Sequence, residues 1–200
     1  MGERKKHQDR CSRCLMRLEV CLCAAIPCLE TQTKIIVVIS RREYKVPTNT
    51  GRLAGLALAN SVILQRGHVD RPMDLRAHLG AEGSNFLVFP GEHAQCLSTI
   101  ATNRPGPLHL IFPDSNWRGA AKMCRRDPVM AQLPMVTLPP GPPSTYRVRR
   151  ETKSGGLATM EAIARALGMI EGPQLQKSLE NLFDLMVSRT MASRGYLNDR

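Results

Sequence analysis

Two groups of residues in this chain have types and spacings suited to chemistry. The first is Asp114-Ser115-Asn116-Trp117, which carries the only tryptophan in 200 residues. The run Leu108-His109-Leu110-Ile111-Phe112 before it reads as a strand, so Asp114 is a carboxylate at a strand exit. Ligand sites in α/β sheets open at the carboxyl ends of strands, so chemistry is expected here. A structural use of the same residues is the alternative: Asp114 caps the helix beginning near Arg118 and Trp117 covers the core. The second group is Cys11-x-x-Cys14 followed, six residues on, by Cys21-x-Cys23. Soft thiolates at such short spacing suit a tetrahedral zinc ion. Cys11, Cys14, Cys21 and Cys23 are its expected ligands, with disulfides as the alternative and Cys28 as a buried thiol or spare ligand. A site of four sulfurs leaves no open position, so zinc here would fold a knuckle and not catalyse.

Charge narrows the partners. The formal net charge is +11, which favours polyanions, nucleic acid ahead of acidic membrane. Aromatic residues make up only 4%, so binding would lean on phosphate contacts more than on stacked bases. Arg41, Arg42, Lys45 and Arg52 surround one loop, Arg118, Lys122, Arg125 and Arg126 follow the tryptophan, and Arg147, Arg149 and Arg150 follow a proline-rich loop. If those loops converge, the cations form a phosphate-binding rim around Asp114; otherwise each is a solvated face. No GxGxxG or Walker-type loop, GxSxG or HExxH motif occurs. His7, His68, His93 and His109 have no partner spacing, and His109, alternating with apolar residues, reads as a satisfied buried histidine. Cys96 and Cys124 are nucleophiles only in principle.

The elements that must position these residues can be read in order. Thr33–Ser40 is a β-branched run and a buried strand, Arg41–Lys45 a polar loop, and Leu53–Ala59 a helix that Thr48, Asn49 or Thr50 can cap. A short strand at Ser61–Leu64, a strand at Asn85–Pro90, a helix at Ala94–Thr99 and the strand at 108–112 follow. Then come a helix from about Arg118 to Arg126, a strand at Met135–Leu138, and helices at Leu157–Leu167, led in by Ser154-Gly155-Gly156, and Gln174–Ser188. Strands alternating with helices predict an α/β domain with a mainly parallel sheet. The expected organisation is a basic N-terminus and cysteine-rich knuckle over 1–30, then a catalytic domain over 31–200. With no secretory signal or membrane-length apolar run, a cytoplasmic protein with no membrane association is the default. A monomer is the expected state.

The ordered motifs support one resemblance. Cys11-Ser-Arg-Cys14, Cys21-Leu-Cys23, Glu43 with Thr48-Asn49-Thr50-Gly51-Arg52-Leu53-Ala54, and Phe89-Pro90 with Ala94 come first. Asp114-x-x-Trp117-x-x-Ala120, Leu133-Pro134, Tyr146-Arg147-x-Arg149 and Thr159-x-Glu161-Ala162 follow. The series, from about residue 11 to 187, resembles the DTW-domain family of tRNA-uridine aminocarboxypropyltransferases. The resemblance implies a SPOUT-like α/β fold, helices on both faces of the sheet and a C-terminal trefoil knot. It implies transfer of the 3-amino-3-carboxypropyl group of S-adenosylmethionine to N3 of a tRNA uridine. Asp114 would accept the N3 proton or orient the uracil, with Trp117 walling the pocket and Glu43 as a third catalytic residue. Phe89, Pro90, Gly91, Pro113, Leu138, Thr159 and Glu161 would hold the cofactor. Arg41, Arg42, Thr48, Asn49, Arg52, Arg118, Lys122, Arg147 and Arg149 would face the RNA. Asn116 stands where the family commonly has Thr, and Ser40 where it often has His. A noncatalytic RNA-binding module on this fold and an S-adenosylmethionine-dependent RNA methyltransferase are the alternatives.

Overall fold

The structure, a computed structural model, describes residues 9–68, 70–103, 106–149 and 155–196. The basic N-terminal residues 1–8, His7 among them, and also Arg150 and Ser154, lie outside the described residues. Six parallel strands form one sheet: β1 (Lys34–Ser40), β2 (Ser61–Arg66), β3 (Asn85–Val88), β4 (Gln95–Cys96), β5 (His109–Asp114) and β6 (Met135–Thr137). Their order is β2-β1-β5-β3-β6-β4, so β5 sits between β1 and β3. The helices are α1 (Arg41–Tyr44), α2 (Thr50–Ala57), α3 (Leu97–Asn103), α4 (Trp117–Arg126), α5 (Thr159–Glu171) and α6 (Pro173–Ser193).

A parallel sheet covered on both faces must be apolar on both, and β1 has that character: Ile35, Ile36, Val37, Val38 and Ile39 are all fully buried. Alternation divides them. Ile35, Val37 and Ile39 join Leu110, Phe112, Phe86 and Val88 beneath α2, α5 and α6. Ile36 and Val38 join Leu87 and Ile111 in a second core, closed by Met123 and Cys124 of α4 and by Leu75 and Met130. The expected α/β class and mainly parallel sheet with helices on both faces are therefore observed.

Local chemistry accounts for several boundaries. Helix α2 begins at Thr50, earlier than the apolar run suggested, because the Asn49 side chain accepts the Arg52 amide at 2.7 Å. Gly172, at φ 115°, breaks the chain between α5 and α6, and Pro173 opens α6 where no amide donor is needed. The segment 41–45 is not all loop: its first four residues close one helical turn. The helix expected at 94–99 is displaced, since Gln95–Cys96 instead pair with the edge of β6 and α3 follows. Both departures answer to backbone pairing demands that side-chain periodicity does not reveal.

Candidate active site

The carboxyl ends of four neighbouring strands, β1, β5, β3 and β6, open into one cavity of about 980 Å³. This volume is at the upper end of small-molecule and cofactor pockets. The turn after β1 supplies Glu43, and the start of α2 supplies Thr48, Asn49 and Thr50. Phe89 and Pro90 come from the end of β3, Pro113 to Trp117 from β5, Thr137 to Gly141 from β6, and Thr159 from the start of α5. Glu43, Thr48, Asn49, Phe89, Pro90, Pro113, Asp114, Trp117, Leu138, Arg149 and Thr159, all expected from the sequence, meet here.

Asp114 is buried, and burial pushes its carboxyl up to about 6. The nearby Glu43 charge works in the same direction, whereas Asn49, Arg149 and Thr159 oppose it. Asn49 Nδ2 donates to Asp114 Oδ2 at 3.1 Å, so one asparagine both caps α2 and holds the acid. Gly51 makes that approach possible: a β-carbon there would stand 2.1 Å from Asp114 Oδ2. The helix-cap alternative for Asp114 does not hold. Asn116 caps α4 by accepting the Gly119 amide at 2.8 Å, leaving Asp114 to the cavity. Threonine can cap a helix in the same way, so Asn116 preserves the local structure. Trp117 packs against Phe89 with ring centroids 4.9 Å apart at 32°, forming an aromatic wall across the ends of β3 and β5.

Beside Asp114 lies an ordered polar group. Arg149 Nη1 donates to Glu43 Oε2 at 2.7 Å, and Arg149 Nε to Thr48 Oγ1 at 3.2 Å. Tyr146 fixes the same corner, donating its hydroxyl to the Thr48 carbonyl at 2.7 Å. Glu161 is buried but does not line the cavity. Its carboxylate accepts from Ser144 Oγ at 2.6 Å, from the Thr145 amide at 2.8 Å and from the Ala158 amide at 2.8 Å. It thus ties the proline-rich loop to the start of α5. Gly91 also stays off the cavity wall, packed where a β-carbon would meet Met135 Sδ at 2.9 Å.

The cations separate into two kinds. Arg41, Arg42, Arg118, Lys122 and Arg147 are exposed, outside the cavity lining. Arg52 is buried and serves another purpose, donating to the carbonyls of Arg13 at 3.0 Å and Cys14 at 3.1 Å. It pins the cysteine knuckle to α2, as Arg189 of α6 does through the Cys21 carbonyl. Sequence reasoning did not assign Tyr146 or Gly51 a role; their places in the Tyr146-Arg147-x-Arg149 and Thr48-to-Ala54 motifs were the available signal.

The Sγ atoms of Cys11, Cys14, Cys21 and Cys23 lie within 4.8 Å of one another. Cys11 and Cys23 are 3.4 Å apart, and Cys14 and Cys21 3.6 Å. A zinc tetrahedron with bonds of about 2.3 Å has sulfur–sulfur edges of about 3.8 Å, so the cluster could hold this ion. All four are free thiols, against the disulfide alternative, and Cys28 is exposed rather than buried and lies outside the cluster. The amides of Cys14 and Arg13 pull Cys11 down to about 6, whereas burial pushes Cys23 up to about 12. His109, half-buried at the opposite end of β5 from the cavity, places Nδ1 3.3 Å from the His78 carbonyl, and burial lowers its pKa.

Fold and site together define a parallel α/β protein with a ligand cavity at its strand ends and a four-cysteine knuckle. The DTW domain model matches residues 8–191, and the chain belongs to that family. It is 25% identical to tRNA-uridine aminocarboxypropyltransferase A of Arabidopsis thaliana, an alignment covering 92% of this chain and 83% of the plant protein. It is 24% identical to tRNA-uridine aminocarboxypropyltransferase 2 of Drosophila melanogaster, over 86% of this chain and 71% of the fly protein. No solved structure matches the chain.

Proposed function

We propose that this protein transfers the 3-amino-3-carboxypropyl group of S-adenosylmethionine to N3 of a tRNA uridine. The observation that carries the proposal is a buried carboxyl, Asp114, raised to about 6, in a cavity of cofactor size. An acid with that affinity for protons is ionised at neutral pH and still basic enough to accept the N3 proton. The N3 electron pair forms a bond to the γ-carbon of the donor's methionine moiety. The γ-carbon–sulfur bond breaks, its electron pair neutralises the sulfonium, and 5′-methylthioadenosine leaves. The Phe89–Trp117 wall offers a stacking surface for an aromatic ring, and the loops after β3, β5 and β6 enclose the donor. Exposed Arg41, Arg42, Arg118, Lys122 and Arg147 suit tRNA phosphates. The four cysteines hold structural zinc. The parallel sheet, with four neighbouring strand ends opening into one cavity, supports the SPOUT-like knotted reading. No helix among the described residues is long and apolar enough to cross a membrane.

The test uses two preparations of S-adenosylmethionine, one labelled in the carboxyl carbon and one in the methyl group, each incubated with total tRNA. Carboxyl label should enter tRNA with the protein as it stands and fail to enter with Asp114→Asn. Methyl label in the RNA would instead establish a methyltransferase. Binding of tRNA with no transfer from either donor would establish a noncatalytic RNA-binding protein.

A further inference from the structure

The Glu43–Arg149 ion pair has a feature that the packing alone does not use. Arg149 has committed Nη1 to Glu43 at 2.7 Å and Nε to Thr48 at 3.2 Å. Its remaining nitrogen, Nη2, is shut off from water and has no hydrogen-bond partner among the described residues. Charged donors left without an acceptor are destabilising, so this guanidinium has hydrogen-bonding capacity that the fold leaves unspent. The side chain lines the cavity, unlike Arg118, Lys122 or Arg147. It therefore meets a group carried inside, not a phosphate passing over the rim.

We infer that Glu43 and Arg149 together bind the zwitterionic amino-acid end of the donor, with the Arg149 guanidinium on its α-carboxylate and Glu43 on its α-ammonium. This rests on the proposed transfer reaction. In that reaction the γ-carbon must approach the uridine N3, whose proton goes to Asp114. The α-carboxylate carbon is three bonds from the γ-carbon, so its receptor must lie close to Asp114. Glu43 and Arg149 meet that condition, because the charges of both are felt by the Asp114 carboxyl. The guanidinium fork matches a carboxylate, and Glu43 has a second oxygen beyond the one given to Arg149. An ion pair meeting a zwitterion gives each desolvated charge an opposite partner, which offsets the desolvation cost of binding. Tyr146 keeps the receptor in place by holding Thr48, which in turn holds Arg149.

Calorimetric titration of the full chain with S-adenosylmethionine, S-adenosylhomocysteine and 5′-methylthioadenosine tests this, since only the last lacks the amino-acid end. Arg149→Gln should weaken the first two by about 10- to 100-fold, as expected for a lost charged hydrogen bond. It should leave 5′-methylthioadenosine within about twofold, a difference too small to reflect a lost contact. Arg149→Lys, which keeps the charge and can still pair with Glu43, should recover only part of the loss. Glu43→Gln should show the same selectivity. Equal weakening of all three ligands would mean that Arg149 only shapes the pocket, and overturn the inference. So would unchanged donor binding with a raised Kd for tRNA, which would assign Arg149 to phosphate. If the unaltered protein bound none of the three ligands, the transfer reading itself would fall. Donor binding that ignores both substitutions would remove this inference alone.

Discussion

At Asp114, the proposed role as base and stability pull in opposite directions. Its carboxyl is raised from the ordinary 3.8 to about 6, chiefly by burial. The folded state thus holds the proton more tightly than the unfolded chain, and stability falls as pH rises across that interval, by about 3 kcal/mol. Asp114→Asn should abolish transfer while leaving the protein at least as stable at pH 7, with a flatter dependence of stability on pH between about 4 and 7. Urea unfolding at several pH values measures this. With the native residue, kcat/KM should rise about tenfold per pH unit below about 6 and then level off, because the base must be ionised. A profile without a break near 6 would remove Asp114 as the base. The acid and the indole were legible as functional candidates because their types are scarce and they follow a strand. The helix cap was not assigned to Asn116, because capping depends on which side chain turns back onto the helix, and Asn116 does.

At the scale of elements, the apolar periodicity announced β1, β3, β5, α4, α5 and α6, since each must bury a face. What it could not announce was Glu161, whose motif position suggested contact with the cofactor. Its carboxylate is spent on Ser144, Thr145 and Ala158, so it acts as the clasp between the proline-rich loop and α5. Glu161→Gln should cost about 1–3 kcal/mol of stability by weakening bonds to a buried charge. It should also weaken S-adenosylmethionine binding by loosening the loop around Leu138 to Gly141, which lines the cavity. Denaturation curves and donor titration report the two effects separately. Unchanged stability with impaired donor binding would put Glu161 in direct contact with the donor.

For the whole molecule, the knuckle is joined to the domain that carries the site. Cys14, Met16 and Leu22 belong to the same core as β1 and α5, and Arg52 and Arg189 hold its carbonyls. Metal analysis should find about one zinc per chain, the complement of a single four-sulfur site. Chelation should lower the melting temperature and release protection of α2, where Asn49 holds Asp114. Hydrogen exchange of the α2 amides provides a measure independent of catalysis. A metal-free protein with unaltered melting and exchange would show that the knuckle stands without zinc.

The sequence by itself determined the alternation of elements, the grouping of the four knuckle cysteines and the strand exit that carries Asp114. These follow from local patterns: periodicity, ligand spacing and the order of polar and apolar runs. Only the tertiary structure decided which basic residues remain at the surface and which do not. Arg52 and Arg149 look like their neighbours in sequence, yet one fastens the knuckle and the other lines the cavity. The reason is physical: a cation's role is set by the acceptors that folding brings to it. For Arg149 these are Glu43 and Thr48, about a hundred residues away along the chain, 106 and 101 positions respectively.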